Sequence, residues 1–256
     1  MKRKKSEMKL IMESWRRFLR EHQEIDSRIQ SQISRLMEFP DLAILIKREG
    51  DNVYFRYVRV DVEGERRSTR HPSKPEILHP LNDEDFEGDD VDGKIIKYPH
   101  GRLDIRKPAS NKEDQSIYDG PCDGGWIVQW SRVSQNMGPL LYDVAMEWAS
   151  QNGSGLMADR NMVKPKARSV WDKYSLRSGS EVEEIQLDID HDVSSKMFKS
   201  LPRLTPRYLP DDCDQEVPVE LYGDKWSHSP LSRLYRKNTT EVMTKLAEYG
   251  RLIDET

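Results

Sequence analysis

Gln135-Asn136-Met137-Gly138-Pro139-Leu140 joins a run of strand-forming residues, WIVQWSRV (Trp126–Val133), to the apolar-striped segment LLYDVAMEWA. A helix start presents several backbone N–H groups without intrahelical partners, together with the positive end of the helix dipole, so it suits an anion. Gln135 to Gly138 supply amide donors and one residue whose missing Cβ lets backbone approach a bound group closely. Pro139 suits the first helical turn, where an absent N–H costs little. Gly-Pro also opens helices for purely structural reasons. The turn therefore has two readings, an anion cradle or a plain helix start.

Other groups with chemistry are weaker. Asp143 and Glu147 stand one helical turn apart, a spacing that fits a solvated face as well as a catalytic pair. Asp159-Arg160 reads either as a buried ion pair or as a substrate contact. Asp83-Glu84-Asp85-Phe86-Glu87-Gly88 looks like the start of a calcium loop, but its twelfth position is Lys94 where a bidentate glutamate is required, so a solvated acidic loop is expected. Asp188, Asp190, His191 and Asp192 suit either a divalent metal or the polar side of a strand. Cys213 lies between aspartates in PDDCDQ, which disfavours the thiolate. With only two cysteines, neither a disulfide framework nor a CxxC zinc site is expected, and reduced thiols in an intracellular setting are the simpler reading.

These residues need elements to hold them. Ile11, Trp15, Phe18, Leu19, Ile25, Ile29, Ile33 and Leu36 recur at helical spacing, predicting a helix over 10–37 that ends at Phe39-Pro40. LAILIKREGDNVYFRYVRVDV reads as a hairpin about Gly50-Asp51-Asn52. Residues 63–93 read as a long acidic loop, and GKIIKYPHGRLDIRKP as one or two short strands around His100-Gly101. The strand 126–133, the following helix, a short strand in GLMADR and a helix over 165–174 come next. EVEEIQLDID is a candidate strand, and a final helix is expected over 239–252. The order predicts an α+β domain, a mixed sheet flanked by helices over 39–180, with a helical N-terminal arm (1–38) and an extended C-terminal segment (181–256).

The chain has 256 residues, of which 36% are hydrophobic and 34% charged, and a net charge of -4. That balance excludes a generally basic nucleic-acid binder, and no run approaches the roughly 18 apolar residues of a membrane span. The basic start (Lys2, Arg3, Lys4, Lys5, Lys9) lacks the apolar core of a secretory signal. It either solubilises a terminus or, with Trp15, Arg16 and Arg17, contacts phosphates such as those of DNA.

The run from Trp126 to Tyr174 resembles the core of the GNAT N-acyltransferase superfamily. There a splayed central strand enters a pyrophosphate-binding turn, Q/R-x-x-G-x-G/A, followed by a helix, a strand and a helix carrying a tyrosine. Gln135 and Gly138 match that turn, and Leu140 replaces its last small residue. The resemblance implies acetyl-CoA or another acyl-CoA as cofactor, held by Val133, Gln135, Asn136, Met137, Gly138, Pro139, Leu140 and Asn161. It also implies an amine acceptor, with Tyr174 as the acid for the departing thiolate. The acceptor could be a protein amine, a small amine or a base in DNA. The wording GPLLYDVAMEWA, GLMADR and VWDKY is similar to GNAT-like proteins of tailed bacteriophages. MKLIMESWRRFLREH resembles short segments that direct phage proteins into proheads. These likenesses imply a phage protein of the host cytoplasm, one packaged in the virion through its basic start, or a GNAT scaffold that serves as a virion or host-interaction protein without catalysis.

Overall fold

A computed structural model describes residues 27–59, 88–91, 94–97, 100–109, 120–134, 136–160, 163–179, 181–187, 213 and 228–256. The strands are β1 (Leu42–Glu49), β2 (Asn52–Arg59), β3 (Gly88–Val91), β4 (Lys94–Lys97), β5 (Gly101–Arg106), β6 (Trp126–Val133), β7 (Leu156–Ala158), β8 (Glu183–Gln186), β9 (Arg233–Arg236) and β10 (Leu252–Glu255). The helices are α1 (described over 27–37), α2 (Gly138–Gln151), α3 (Pro165–Ser175) and α4 (Glu241–Glu248). Among the described residues, eight strands make one mixed sheet in the order β10-β1-β2-β5-β6-β7-β9-β8, and β3 pairs with β4 in a second sheet. Among the described residues, no helix is long and apolar enough to cross a membrane.

Period-two alternation in β1 and β2 sends Leu42, Ile44, Ile46, Val53, Phe55 and Tyr57 to one face, where they meet Ile29, Ile33 and Leu36 of α1 and the apolar residues of α2 and α4. Ala43, Leu45 and Val58 turn to the other face. Trp148 of α2 lies edge-on to both Trp126 and Phe55, at 5.0 and 6.2 Å between ring centres. Offset and edge contacts of this kind add to the burial of large rings. Every residue of α2 from Leu140 to Ala149 is buried. A helix enclosed on all sides is held by its surroundings rather than by one apolar stripe.

The hairpin, the strand 126–133 and the helices after it follow the sequence reading. Four points correct it. The C-terminal part is no extended tail where it is described: β8 and β9 extend the main sheet, and β10 lies parallel to β1 along its edge. The end of the N-terminal helix belongs to the main core. Gly88–Val91, expected to be loop, form β3 and pair with β4, while β5 joins β2 and β6, so GKIIKYPHGRLDIRKP supplies the two short strands expected of it. Cys122 and Cys213 are joined in a disulfide, so neither is a reduced thiol. The basic start, the calcium-like residues 83–87 and the acidic set at 188–192 lie outside the described residues.

Candidate functional site

The site grows from the middle of the sheet. β6 pairs in parallel with β7 only through Trp126, Ile127 and Val128. β7 ends at Ala158, while β6 runs on for five residues to Val133, with Gln129, Trp130 and Ser131 exposed. Beyond Val128 the edge of β6 facing β7 therefore has no ladder partner among the described strands. The ladder with β5 on its other side also shifts register between Asp104 and Ile105, leaving Gln129 as an extra residue on β6. Such a bulge re-aims a strand locally.

The strand delivers the chain into the turn. Met137 N–H donates to the Ser134 carbonyl, and Asn136 adopts a left-handed φ of 69°. Two contacts hold this turn from below. The buried Tyr57 hydroxyl donates to the Met137 carbonyl at 2.8 Å, and Ser134 N–H donates to the His100 carbonyl at 2.9 Å. His100 packs on Phe39 with ring centres 4.5 Å apart. Burial, reinforced by Arg59 and opposed by Asp41, lowers its pKa, so the ring stays neutral around pH 7. At Gly101 (φ 109°) a Cβ would collide with the Arg132 carbonyl, which makes glycine obligatory where β5 and β6 come closest.

Gly138, the first residue of α2, is different. Its φ is ordinary and an added Cβ would meet only Val133 Cβ, at 3.9 Å. Neither conformation nor crowding demands glycine there. The helix start has no side-chain cap and no acidic residue in its first turn. Leu140 is buried to 2% exposure in the core, so its side chain turns away from the surface of the turn. Met137 is also buried, Val133 packs partly against the core, Pro139 is half-buried and Asn136 is exposed. Gln135 and Asn161 lie outside the described residues.

Tyr174 is not placed among these groups. It is 2% exposed and its hydroxyl donates to Asp143 Oδ1 at 2.9 Å. Asp143 is fully buried, with Arg28 Nη1 at 2.6 Å, Lys237 Nζ at 3.1 Å and Arg177 Nη1 at 3.7 Å. Burial would raise the pKa of Asp143, but the three cations outweigh it and hold the carboxyl well below the usual range. Burial and the Asp143 charge both push the Tyr174 phenol well above its ordinary value. Lys237 also meets Glu147 at 3.4 Å and Glu181 at 3.3 Å, and Arg28 bridges to Glu181. Glu147 in turn accepts from the Val242 and Met243 N–H groups at 3.1 and 2.8 Å, capping α4 from a neighbouring helix. Asp143 and Glu147 are thus the buried centre of a structural network rather than a solvated face. Arg160 is fully buried as well.

Tyr142 of α2 is buried beside Ser131 of the free part of β6, and burial raises its pKa with a smaller opposing effect from Ser131. Sequence reasoning missed Tyr142, Tyr57 and His100. Only the His100-Gly101 turn carried a local signal. No family model, curated protein or solved structure matches the chain.

Proposed function

We propose that the protein is an acyl-CoA-dependent N-acyltransferase of the GNAT type. The observation that carries this reading is the stretch of β6 beyond Val128, without a ladder partner on its β7 side among the described strands, that leads into an uncapped helix start. The free edge of β6 offers backbone N–H and C=O groups for the amides of an extended pantetheine arm, in the manner of an added strand. The first turn of α2, open above Gly138, takes the pyrophosphate. Acetyl-CoA is the simplest donor. An acceptor amine attacks the thioester carbonyl, a C–N bond forms, the C–S bond breaks, and the amine proton leaves to solvent or a carboxylate. The thiolate takes a proton from the Ser131–Tyr142 pair, which borders the free strand. Tyr174, committed to Asp143, is the alternative donor.

Two measurements test this. Wild-type protein should bind acetyl-CoA in calorimetry, and Gly138→Asp, which sets a carboxylate at the helix start, should abolish binding. Gly138→Ala is the sharper variant. As a helical substitution it should leave stability equal or about 0.5–1 kcal/mol higher, while weakening acetyl-CoA by crowding the turn. No binding by the wild type at millimolar acetyl-CoA would end the reading.

The two phenols separate by readout. Tyr142→Phe is expected to lower kcat with little change in Tm. Tyr174→Phe should lower stability by about 1–3 kcal/mol, because the Asp143 carboxylate loses a buried donor, with kcat largely kept. The opposite pattern would return the acid role to Tyr174.

A reading without catalysis, as a virion or host-interaction protein, draws support from the unidentified general base. It predicts no acyl-CoA binding at all.

A further inference from the structure

A hydroxyl and an imidazole meet at the base of the turn, and the acyl-CoA chemistry uses neither. Ser134 Oγ lies 3.3 Å from His100 Nδ1 and 3.2 Å from the His100 carbonyl oxygen. That carbonyl already accepts the Ser134 N–H at 2.9 Å, so the hydroxyl is not needed to satisfy it. Both hydroxyl contacts are longer than the roughly 2.8 Å of a firmly committed O–H donor. The proton is therefore shared between two acceptors and bound tightly to neither. Catalytic pairs are commonly this loose before a substrate tightens them. Ser134 is half-buried and His100 is 5% exposed, so the serine reaches the surface and the imidazole does not. His100 also holds a left-handed φ of 62°, uncommon for any residue with a side chain. Such a conformation persists only where its surroundings fix it, and it is found most often at functional sites. Here Phe39 packs on the ring at 4.5 Å and Tyr57 meets it edge-on at 6.3 Å. The ring is neutral around pH 7, and with its proton on Nε2 it presents the Nδ1 lone pair to Ser134. The Met137 N–H to Ser134 carbonyl bond puts this serine in the same turn as the uncapped start of α2. Unpaired N–H groups at a helix start are donors of the kind that an oxyanion needs.

We infer that Ser134 and His100 form a nucleophile–base pair that cleaves an activated carboxylic ester, an activity separate from transfer to an amine. The Ser134 hydroxyl attacks the ester carbonyl. An Oγ–C bond forms as the proton passes to His100 Nδ1, and the ester C–O bond breaks, the departing alkoxide taking that proton. Water then adds to the acyl-serine carbonyl through the same base, the C–Oγ bond breaks and the carboxylic acid leaves. No CoA ester takes part, so the inference does not rest on the acyltransferase reading. The test is reaction of the full chain with p-nitrophenyl acetate and, separately, with an alkyl fluorophosphonate, both without CoA. The phosphonate should add once, on Ser134, with loss of fluoride, as read by intact mass and peptide mapping. The acetate ester should release p-nitrophenolate faster than buffer alone. Ser134→Ala should abolish both reactions. His100→Asn, which tolerates the left-handed φ, should slow both at least about a hundredfold with Tm unchanged. Should its Tm fall, His100→Gln carries the same comparison. An unlabelled Ser134 would overturn the inference. So would ester cleavage that Ser134→Ala leaves intact, or labelling at an undiminished rate in a folded His100 variant. The acetyl-CoA titration uses neither probe, so the two readings fail separately.

Discussion

Asp143→Asn is expected to destabilise the protein by about 3–5 kcal/mol, the cost of breaking a buried charge set by removing one partner. For a chain of this size that is a fall in Tm of roughly 6–20 °C. The magnitude follows from the geometry. Asp143 is fully buried and faces Lys237, Arg28, Arg177 and the Tyr174 hydroxyl together. An asparagine keeps the shape and one acceptor but removes the charge that balances the cations. Lys237, with a side chain 2% exposed, retains Glu147 and Glu181, while Arg28 and Arg177 lose their common partner. A Tm within about 2 °C of wild type for the single variant would show that the network is not a stability determinant.

The same network sets a pH profile. Asp143 has a folded pKa below its unfolded value, so its contribution is present above about pH 4 and is lost as pH falls through the folded pKa. Lys237 is opposite in sign. Burial would lower its pKa, but Asp143, Glu147 and Glu181 together raise it. Its contribution is complete below about pH 10 and is lost as pH rises through the folded value. Glu147 is raised by burial, partly offset by Lys237 and the α4 amides. Stability therefore declines as pH rises from about 4 through its folded pKa. The difference in stability between wild type and Asp143→Asn should accordingly be largest in the middle range and shrink towards both extremes.

Much of the scaffold was legible in the sequence because it is locally encoded. Alternation about Gly50-Asp51 defines the β1–β2 hairpin, and Gly-Pro before an apolar stripe defines α2. What escaped is non-local. Lys237 stands 94 positions from Asp143, and nothing near either residue advertises the other, so an i, i+4 acidic pair inside an otherwise apolar helix read equally as a solvated face or a catalytic pair. β10 escaped because four residues ending in Asp254-Glu255, paired on one edge only, show neither length nor alternation. The turn was found and its supports were not, since Tyr57 on β2 and His100 before β5 reach it only once the sheet has formed. Leu140 was legible as a departure from the GNAT-type turn that the sequence resembles. Its burial supplies the reason: the position serves the core with its side chain and the turn with its backbone.

The second large effect concerns the cysteines. The Cys122–Cys213 disulfide joins positions 91 residues apart, and both residues are buried with Ile127, Met157, Leu187 and Leu234 on the face opposite α2. Closing so long a loop removes much freedom from the unfolded chain, about 4–5 kcal/mol in the chain-entropy account. Reduction, or Cys213→Ser, should therefore lower stability by several kcal/mol, and the double variant Cys122→Ser/Cys213→Ser should match the reduced wild type. The location adds a second consequence. Cys122 lies four residues before Trp126, and Ile127 belongs both to the covered cluster and to the three-residue pairing with β7. Loosening the cover acts directly on the short ladder that joins β6 to β7. Hydrogen exchange is expected to rise first at Trp126–Val128 and Leu156–Ala158 on reduction, ahead of the β1–β2 hairpin, because Ile127 and Met157 pack in the cluster around the disulfide and the hairpin's buried residues do not. Uniform protection across both regions after reduction, with an unchanged Tm, would mean that the bond adds nothing to the apolar contacts already around it.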